Sequence, residues 1–314
     1  MYFGKVSLFL PWVIDVYIAA QLTSIPDLEF LSSNFSKLQL IGTNELRDCV
    51  KEKTWCFYGD STLEETIQDI VVLLSGGSGE KAREYFGYVN GRVSHTHEFE
   101  LEREVHVYFE NEGRRPWRRM RIEVPDIGFS LRHHFTGHRN INENGEGISA
   151  LANYLTVNWK EIYSACDEIV INSGPHDWER GQTWTNEQFI PQLRGILEFL
   201  DGVIGASNSP KVYWKGSAWY ALQEFGTPFN ISFNEIVSSE FEAAQMLNGS
   251  LVHFIDVSKV LSKFPLMTEK FKIARDVHIG YSGAKLNVKG SLLWTSVSTQ
   301  TVLCTLCNIS GFSF

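Results

Sequence analysis

The sequence has few cysteines, no excess of positive charge and no long apolar run. Five cysteines in 314 residues are too few for a disulfide scaffold. The formal net charge of −9 argues against general binding to nucleic acid, which requires a basic surface. No uninterrupted apolar stretch is long enough to span a bilayer, so membrane association is not evident. These absences leave an ordinary globular composition, which suits one large α/β domain or two small ones.

Motifs for cofactors and metals are also missing. The sequence has no nucleotide-binding loop and no haem motif. The Cys304–Cys307 pair is a lone CxxC without a second pair or a nearby histidine, so zinc is not expected there. The segment from Phe129 to Asn142 is predicted to be a loop, and no carboxylate lies at ligand spacing from its three histidines, His133, His134 and His138. We therefore expect neither a metal nor a cofactor.

The cellular compartment has only mild signals. Four Asn-X-Ser sequons occur, at Asn34, Asn230, Asn248 and Asn308, which fits a secreted glycoprotein. Lys5 precedes an apolar run from Val6 to Ile14, which is either a signal peptide or a buried N-terminal segment. We expect the secretory pathway, either outside the cell or in the Golgi lumen. The bridging state of Cys49 and Cys56 stays open, and Cys166 is expected to be a buried thiol.

The stretch from Trp55 to Thr62 organises the chain. Trp55–Tyr58 is predicted to be a short buried strand, and Gly59-Asp60-Ser61 a tight turn after it. From Leu63 to Leu74 apolar residues recur at helical spacing. Ser61 is therefore expected at a helix N-terminus, where backbone N–H groups can stabilise a developing oxyanion. The alternative is an ordinary strand–helix turn in which the serine only caps the helix.

Strands and helices alternate through the rest of the chain. This pattern predicts a doubly wound, mostly parallel sheet with helices on both faces. The predicted strands are Val105–Phe109, Met120–Val124, Glu168–Asn172, Lys211–Lys215 and Leu251–Val257, and the predicted helices are Gly147–Tyr163, Asn186–Leu200, Asn234–Leu247 and one near Ala284. We expect an N-terminal segment over 1–45, a single domain over 46–295 and an uncharged tail over 296–314.

Candidate catalytic residues follow the predicted strands. In sheets of this kind the working residues lie at the carboxyl ends of the strands. Ser61 would be the nucleophile, His278 its base and Asp276 the carboxylate that orients the base. The oxyanion hole would be formed by the Ser61 backbone N–H, the Asn172 side chain and Gly137.

Three sequence blocks resemble the SGNH (GDSL-like) hydrolase superfamily: Gly59–Thr62, Asn172–Trp178 and Asp276–His278. Together with Leu46 and Cys49, the form Phe57–Leu63 is most similar to the PC-esterase branch, and within it to the NXPE C-terminal domain. The resemblance implies a flavodoxin-like sheet and family roles for Ser61, Asn172 and His278. The second block supplies the candidates for substrate binding, His176, Asp177 and Trp178.

The last block departs from the superfamily pattern. Two residues usually separate its aspartate and histidine, whereas only Val277 separates Asp276 from His278, and Arg275 stands where the aspartate would be. The chain would then use a Ser–His dyad, or a carboxylate from elsewhere such as Asp256.

The resemblance implies an acyl-ester hydrolase or an O-acetyltransferase acting on a carbohydrate or glycoconjugate. The alternative is a non-catalytic secreted or luminal binding module that keeps the fold. A basic turn between Glu112 and Arg119 is either a solvated loop or a contact for an anionic glycan or lipid head group.

Overall fold

The structure is a computed structural model that describes residues 41–76, 97–110, 119–136, 147–173, 186–205, 210–216, 250–257 and 291–309. Within these ranges one sheet contains the strands β1 (Thr54–Gly59), β2 (His97–Leu101), β3 (Val105–Glu110), β4 (Arg119–Val124), β5 (Phe129–Phe135), β6 (Glu168–Ile171), β7 (Lys211–Lys215) and β8 (Val252–Ile255). The helices in these ranges are α1 (Thr43–Val50), α2 (Ser61–Ser75), α3 (Ile148–Ala165), α4 (Asn186–Ile204) and α5 (Ser291–Leu306).

The sheet has the spatial order β2-β3-β4-β5-β1-β6-β7-β8. Strands β5, β1, β6, β7 and β8 run parallel, and β4, β3 and β2 extend the sheet in antiparallel pairs. Taken in chain order, the parallel strands lie as 2-1-3-4-5, which is the flavodoxin-like arrangement. The predicted fold class is therefore confirmed. The order reverses at β1, and this switch point is where folds of this type bind ligands.

Helices cover both faces of the sheet. Because side chains alternate along a strand, Trp55 and Phe57 of β1 point to one face and Cys56 and Tyr58 to the other. The first pair belongs to a buried cluster with α1, α2 and α5, and the second pair to a cluster with α3 and α4. The side chains of β1 therefore contribute to two hydrophobic cores, one on each face of the sheet.

Helix α2 is enclosed along nearly its whole length. Every side chain from Thr62 to Ser75 is buried, including the acidic residues Glu64, Glu65 and Asp69. The helix ends at Gly76, whose φ of 62° lies in the left-handed region that favours glycine. A helix buried on all sides is held by tertiary packing and not by an amphipathic surface.

Strand β5 corrects one prediction. The segment from Phe129 was expected to be a loop, but Phe129–Phe135 pairs in parallel with β1. Phe129, Leu131 and His133 are buried at alternate positions, which is a strand pattern. His133 and His134 point to opposite faces of this strand, which separates them as metal ligands, and His138 lies outside the described residues.

Helix α5 extends across residue 295, which was predicted to be the boundary between the domain and the tail. Its residues from Ser298 to Cys304 are buried, and it packs against α2. The Gln300 side chain accepts a hydrogen bond from the Ile41 backbone N–H at 2.8 Å and donates to the Ile41 carbonyl at 2.9 Å. The described part of the uncharged tail is therefore a core helix.

Two disulfides link distant parts of the chain. Cys49 pairs with Cys307, and Cys56 pairs with Cys166. The expectation that Cys166 is a buried thiol is wrong, because β1 and the end of α3 bring it beside Cys56. Cys304 is a buried thiol that takes part in neither disulfide, and burial raises its pKa to about 11.

Two of the predicted helices are not part of the described structure. The helices predicted at Asn234–Leu247 and near Ala284, and the N-terminal segment up to residue 40, lie outside the described residues. The remaining predicted strands and helices agree with the structure to within four residues at each end. Among the described helices, none combines the length and the apolar character that crossing a membrane requires.

Candidate active site

The turn after β1 lies at the switch point of the sheet. Asp60 follows the strand directly and caps α2: its Oδ1 accepts hydrogen bonds from the Thr62 backbone N–H at 2.9 Å and from Thr62 Oγ1 at 2.7 Å. Ser61 is the first residue of the helix. The predicted position of Ser61 at a helix N-terminus is confirmed for its backbone, and its side chain lies outside the described part of the structure.

Asn172 ties the end of β6 to the same turn. Its backbone N–H donates to the Tyr58 carbonyl at 3.0 Å, and its Oδ1 accepts from the Asp60 backbone N–H at 3.3 Å. Its Nδ2 lies 3.5 Å from Thr62 Oγ1, at the outer limit of a hydrogen bond. The amide carries two hydrogens, so one donor is left for a further acceptor. Asn172 is fully buried, which fixes its orientation beside Ser61.

Gly59 lets the two strands approach this closely. A Cβ built on Gly59 would lie 2.8 Å from Asn172 Oδ1, 2.9 Å from Leu63 Cδ2 and 3.0 Å from the Asn172 backbone oxygen. Distances below 3.0 Å do not occur between real Cβ atoms and their neighbours. Any side chain at this position would therefore push the turn away from Asn172.

We expect Gly59→Ala to lower the free energy of unfolding by about 1–3 kcal/mol, the usual cost of inserting a methyl group into a packed site. Urea unfolding followed by circular dichroism measures this difference. The matched control is Gly195→Ala in the interior of α4, where nothing lies within 4 Å of the added Cβ. That change should stabilise the protein by about 0.5–1 kcal/mol, because alanine favours the helix. A Gly59→Ala protein as stable as the wild type would contradict the close approach.

Lys215 adds a buried charge that the sequence did not predict. It ends β7, two strands from β1, and is only 1% exposed. Burial lowers its pKa, and the carboxylates of Asp60 and Glu65 act in the opposite direction by attraction. Asp60 Oδ2 is buried and has no hydrogen-bond partner among the described residues. A lysine at the end of a predicted strand ordinarily suggests exposure, so only the fold places it beside the Ser61 turn.

The remaining candidate residues lie outside the described residues. They are the predicted base and its orienting carboxylate, the glycine of the oxyanion hole and the substrate-binding block: His278, Asp276, Gly137, His176, Asp177 and Trp178. Asp256, the alternative orienting carboxylate, follows β8 at the same edge of the sheet and is half-buried. The structure thus brings Ser61 and Asn172 together, and the roles of the others stay predictions.

Comparisons with known proteins add little to this geometry. No protein-family model matches the chain. A search of curated proteins finds no match either. The solved structure of an acetylxylan esterase from Geobacillus stearothermophilus is similar with a TM-score of 0.42 and 12% sequence identity, over 88% of this chain and 98% of that chain. A similarity at this level supports no conclusion about this chain. Its flavodoxin-like class follows from its own strand order, and the resemblance to SGNH hydrolases stays a prediction from the motifs.

Proposed function

We propose that this protein is a serine-dependent acyl-ester hydrolase or O-acetyltransferase that acts on a carbohydrate or glycoconjugate through an acyl-enzyme on Ser61. One observation supports this proposal most: Ser61 opens α2 directly after the central strand β1, at the switch point of the sheet. Folds with this strand order bind their ligands there. Asp60 accepts hydrogen bonds from the backbone N–H groups of Thr62, Leu63 and Glu64, so the Ser61 N–H is the group proposed to face a negative charge at this helix N-terminus.

In the proposed reaction, the Ser61 hydroxyl oxygen attacks the acyl carbonyl carbon and its proton passes to His278. The charge that develops on the carbonyl oxygen is stabilised by the Ser61 backbone N–H and by the Asn172 amide. Collapse of the tetrahedral intermediate breaks the ester bond, and His278 returns the proton to the departing alcohol. Water then releases the free acid, or a sugar hydroxyl takes the acyl group, with His278 as the base again.

The proposal includes a secretory location. Two disulfides among five cysteines are typical of proteins that fold in an oxidising compartment. Asn308, which begins one of the four sequons, is exposed directly after α5 and is accessible for glycosylation. Both observations favour the endoplasmic reticulum as the site of folding.

A non-catalytic binding module is the second candidate, and the contacts of Asn172 favour it. Both side-chain heteroatoms of Asn172 already face groups of the Asp60–Thr62 turn. An asparagine with those contacts has a sufficient structural role without any oxyanion to stabilise. Reactivity of Ser61 separates the two candidates.

The test is labelling of the purified protein with a fluorophosphonate probe, read by fluorescence in a gel. We expect the wild type to label and Ser61→Ala to show no labelling, because the probe reacts only with an activated serine. His278→Ala should label about 10²–10⁴-fold more slowly, the usual contribution of a general base. Ser149→Ala removes a serine from the first turn of α3 and serves as the matched control, with labelling equal to the wild type.

Circular dichroism and thermal unfolding must first show that each variant is folded. If the folded wild type does not label, the nucleophile assignment is wrong and the binding module takes its place. If Ser61→Ala still labels, another serine carries the reactivity. For a protein that labels as expected, hydrolysis of acetylated sugars, measured with and without a sugar acceptor, distinguishes the esterase from the transferase.

A further inference from the structure

A cavity of about 460 Å³ lies on the face of the sheet opposite α2. One wall is formed by β4 and β5 and the other by α3, and its polar lining includes Tyr58, Arg119, Arg121, Arg132, Asn158 and Glu161. The volume falls within the range of sites for small molecules. Neither Asp60 nor Asn172 of the candidate active site is among the described residues that line this cavity.

The register of the sheet places two arginines side by side on this wall. Arg121 of β4 lies directly opposite Arg132 of β5, so both side chains project from the same face. Like charges in directly opposed positions destabilise a sheet. The protein has a net charge of −9, so a cationic pair is not part of a generally basic surface. The pair therefore concentrates two positive charges at one place on the cavity wall.

The two arginines differ in their partners. Arg121 lies 3.5 Å from a Glu123 carboxylate oxygen, and its guanidinium stacks 4.5 Å from the ring centre of Tyr108. Arg132 is exposed and has no hydrogen bond or ion pair among the described residues. Its guanidinium is therefore available to bind an anion with two parallel hydrogen bonds.

Two neutral side chains, His134 and Tyr58, lie on the same wall of the cavity as the arginines, which we call the arginine wall. Burial, with a smaller contribution from the Arg119 guanidinium, lowers the pKa of His134 to about 3. The neutral ring accepts a hydrogen bond at Nδ1 from Arg119 Nε at 3.1 Å and stacks on Tyr154 with 3.9 Å between ring centres. These contacts fix the orientation of Arg119 at the same wall. Burial also raises the pKa of Tyr58, so its hydroxyl stays protonated and can donate.

The opposite wall has acceptor groups. Glu161 and Asn158 on α3 line the cavity across from the arginines. The Asn158 Nδ2 donates to the Tyr154 carbonyl at 2.8 Å, which leaves its side-chain oxygen as an acceptor. A carboxylate at this wall repels a second anionic group but accepts hydrogen bonds from hydroxyls. The cavity thus has cationic donors on one side and acceptors for hydroxyl groups on the other.

We propose that this cavity binds an acidic sugar residue, with its carboxylate or sulfate group against Arg132 and Arg121 and its hydroxyl groups toward Asn158 and Glu161. The inference depends on the cavity and on the register of β4 against β5, not on the reactivity proposed for Ser61. A single anionic group on a polyhydroxylated ring matches the division of charge between the walls. An inorganic anion would use only the arginine wall.

Isothermal titration calorimetry of the full chain tests the proposal with four probes: glucuronate, glucose 6-sulfate, glucose and inorganic phosphate. We expect at least one of the two acidic sugars to bind at least tenfold more tightly than glucose and than phosphate. Arg132→Gln should weaken this binding about tenfold to 100-fold, the usual effect of losing charge-assisted hydrogen bonds. Lys160→Gln removes the same charge from the exposed surface of α3 outside the cavity and should bind like the wild type.

The Tm of Arg132→Gln and the binding of the acidic sugar by Ser61→Ala supply two further readouts. Because Arg132→Gln removes a like-charge pair, its Tm should equal or exceed that of the wild type while its affinity falls. Ser61→Ala should bind the acidic sugar as the wild type does, so failure of the nucleophile proposal leaves this result unchanged. Equal binding of glucose and both acidic sugars, phosphate binding as tight as theirs, or equal effects of Arg132→Gln and Lys160→Gln would each overturn the proposal. Failure of both acidic sugars to bind would also overturn it.

Discussion

Replacing Lys215 with methionine is expected to lower the free energy of unfolding by about 3–5 kcal/mol, because it removes the buried amine that attracts the carboxylates of Asp60 and Glu65. Lys215 is 1% exposed, and the carboxylates of Asp60 and Glu65 attract it. Methionine preserves most of the volume, so the loss reports charge and not a cavity. Denaturant unfolding monitored by circular dichroism measures the effect. The turn at Ser61 is also expected to shift, with loss of fluorophosphonate labelling.

The matched control is Lys211→Met, at the exposed first position of the same strand. We expect a change of no more than about 0.5 kcal/mol there, as for most surface positions. Asp60→Asn keeps a capping side chain and removes the charge, so the double variant Lys215→Met/Asp60→Asn should recover at least about 1 kcal/mol relative to Lys215→Met. Purely additive effects would show that the two side chains do not interact.

Loss of the Cys49–Cys307 disulfide is expected to cost about 2–5 kcal/mol, since the bond closes a very long loop in the unfolded chain. The two cysteines are 258 residues apart in sequence. Cys49→Ser/Cys307→Ser removes the bond without leaving a free thiol. Its expected effect is a lower urea midpoint, together with exposure of α5, which hydrogen exchange of residues 298–306 can detect.

Thiol counting provides the control for this variant. Of five cysteines, four form two disulfides and Cys304 forms none, so the denatured, unreduced wild type should contain one reactive thiol. The double variant should also contain one, because the Cys56–Cys166 bond remains. Three reactive thiols in the wild type, or an unchanged urea midpoint in the variant, would contradict the Cys49–Cys307 assignment.

The central part of the fold could be predicted because its strands are apolar on both faces. β1, β6 and β7 are buried on both sides of the sheet, so they appear in the sequence as short apolar runs between helices. The sequence pattern did not reveal β5 because one of its faces is polar: Ser130, Arg132 and His134 lie on the face of the sheet that α3 covers. The glycine at position 137 favoured a loop for this segment, although the buried alternation of Phe129 and Leu131 was present.

The candidate site was only partly predictable. Ser61 and Asn172 each follow an apolar run, so their meeting at one edge follows from parallel pairing. Lys215 could not be assigned, since its neighbours Asp60 and Glu65 are more than 140 residues away in sequence. The opposed pair Arg121 and Arg132 depends on the register of an antiparallel pair, which sequence alone does not give.

The pairing of the cysteines and the structure of the tail also could not be predicted from the sequence. Spacing does not reveal connectivity, so Cys166 had no visible partner. In the tail, serines and threonines alternate irregularly with apolar residues, and no amphipathic stripe distinguishes a core helix. Its polar groups are instead bonded inside the protein, as when Thr299 Oγ1 donates to Asp69 at 3.0 Å.

The position of α5 has a consequence for the order in which this protein can form during synthesis. Helix α2, which begins with Ser61, is enclosed in part by a helix that starts 230 residues later, and Thr299 and Gln300 hold groups of Asp69 and Ile41. A ribosome must therefore translate nearly the whole described chain before the buried carboxylates of α2 are covered. Until then, the nascent chain exposes a helix that is apolar and acidic at once, which makes it a natural client for chaperones of the compartment in which it folds.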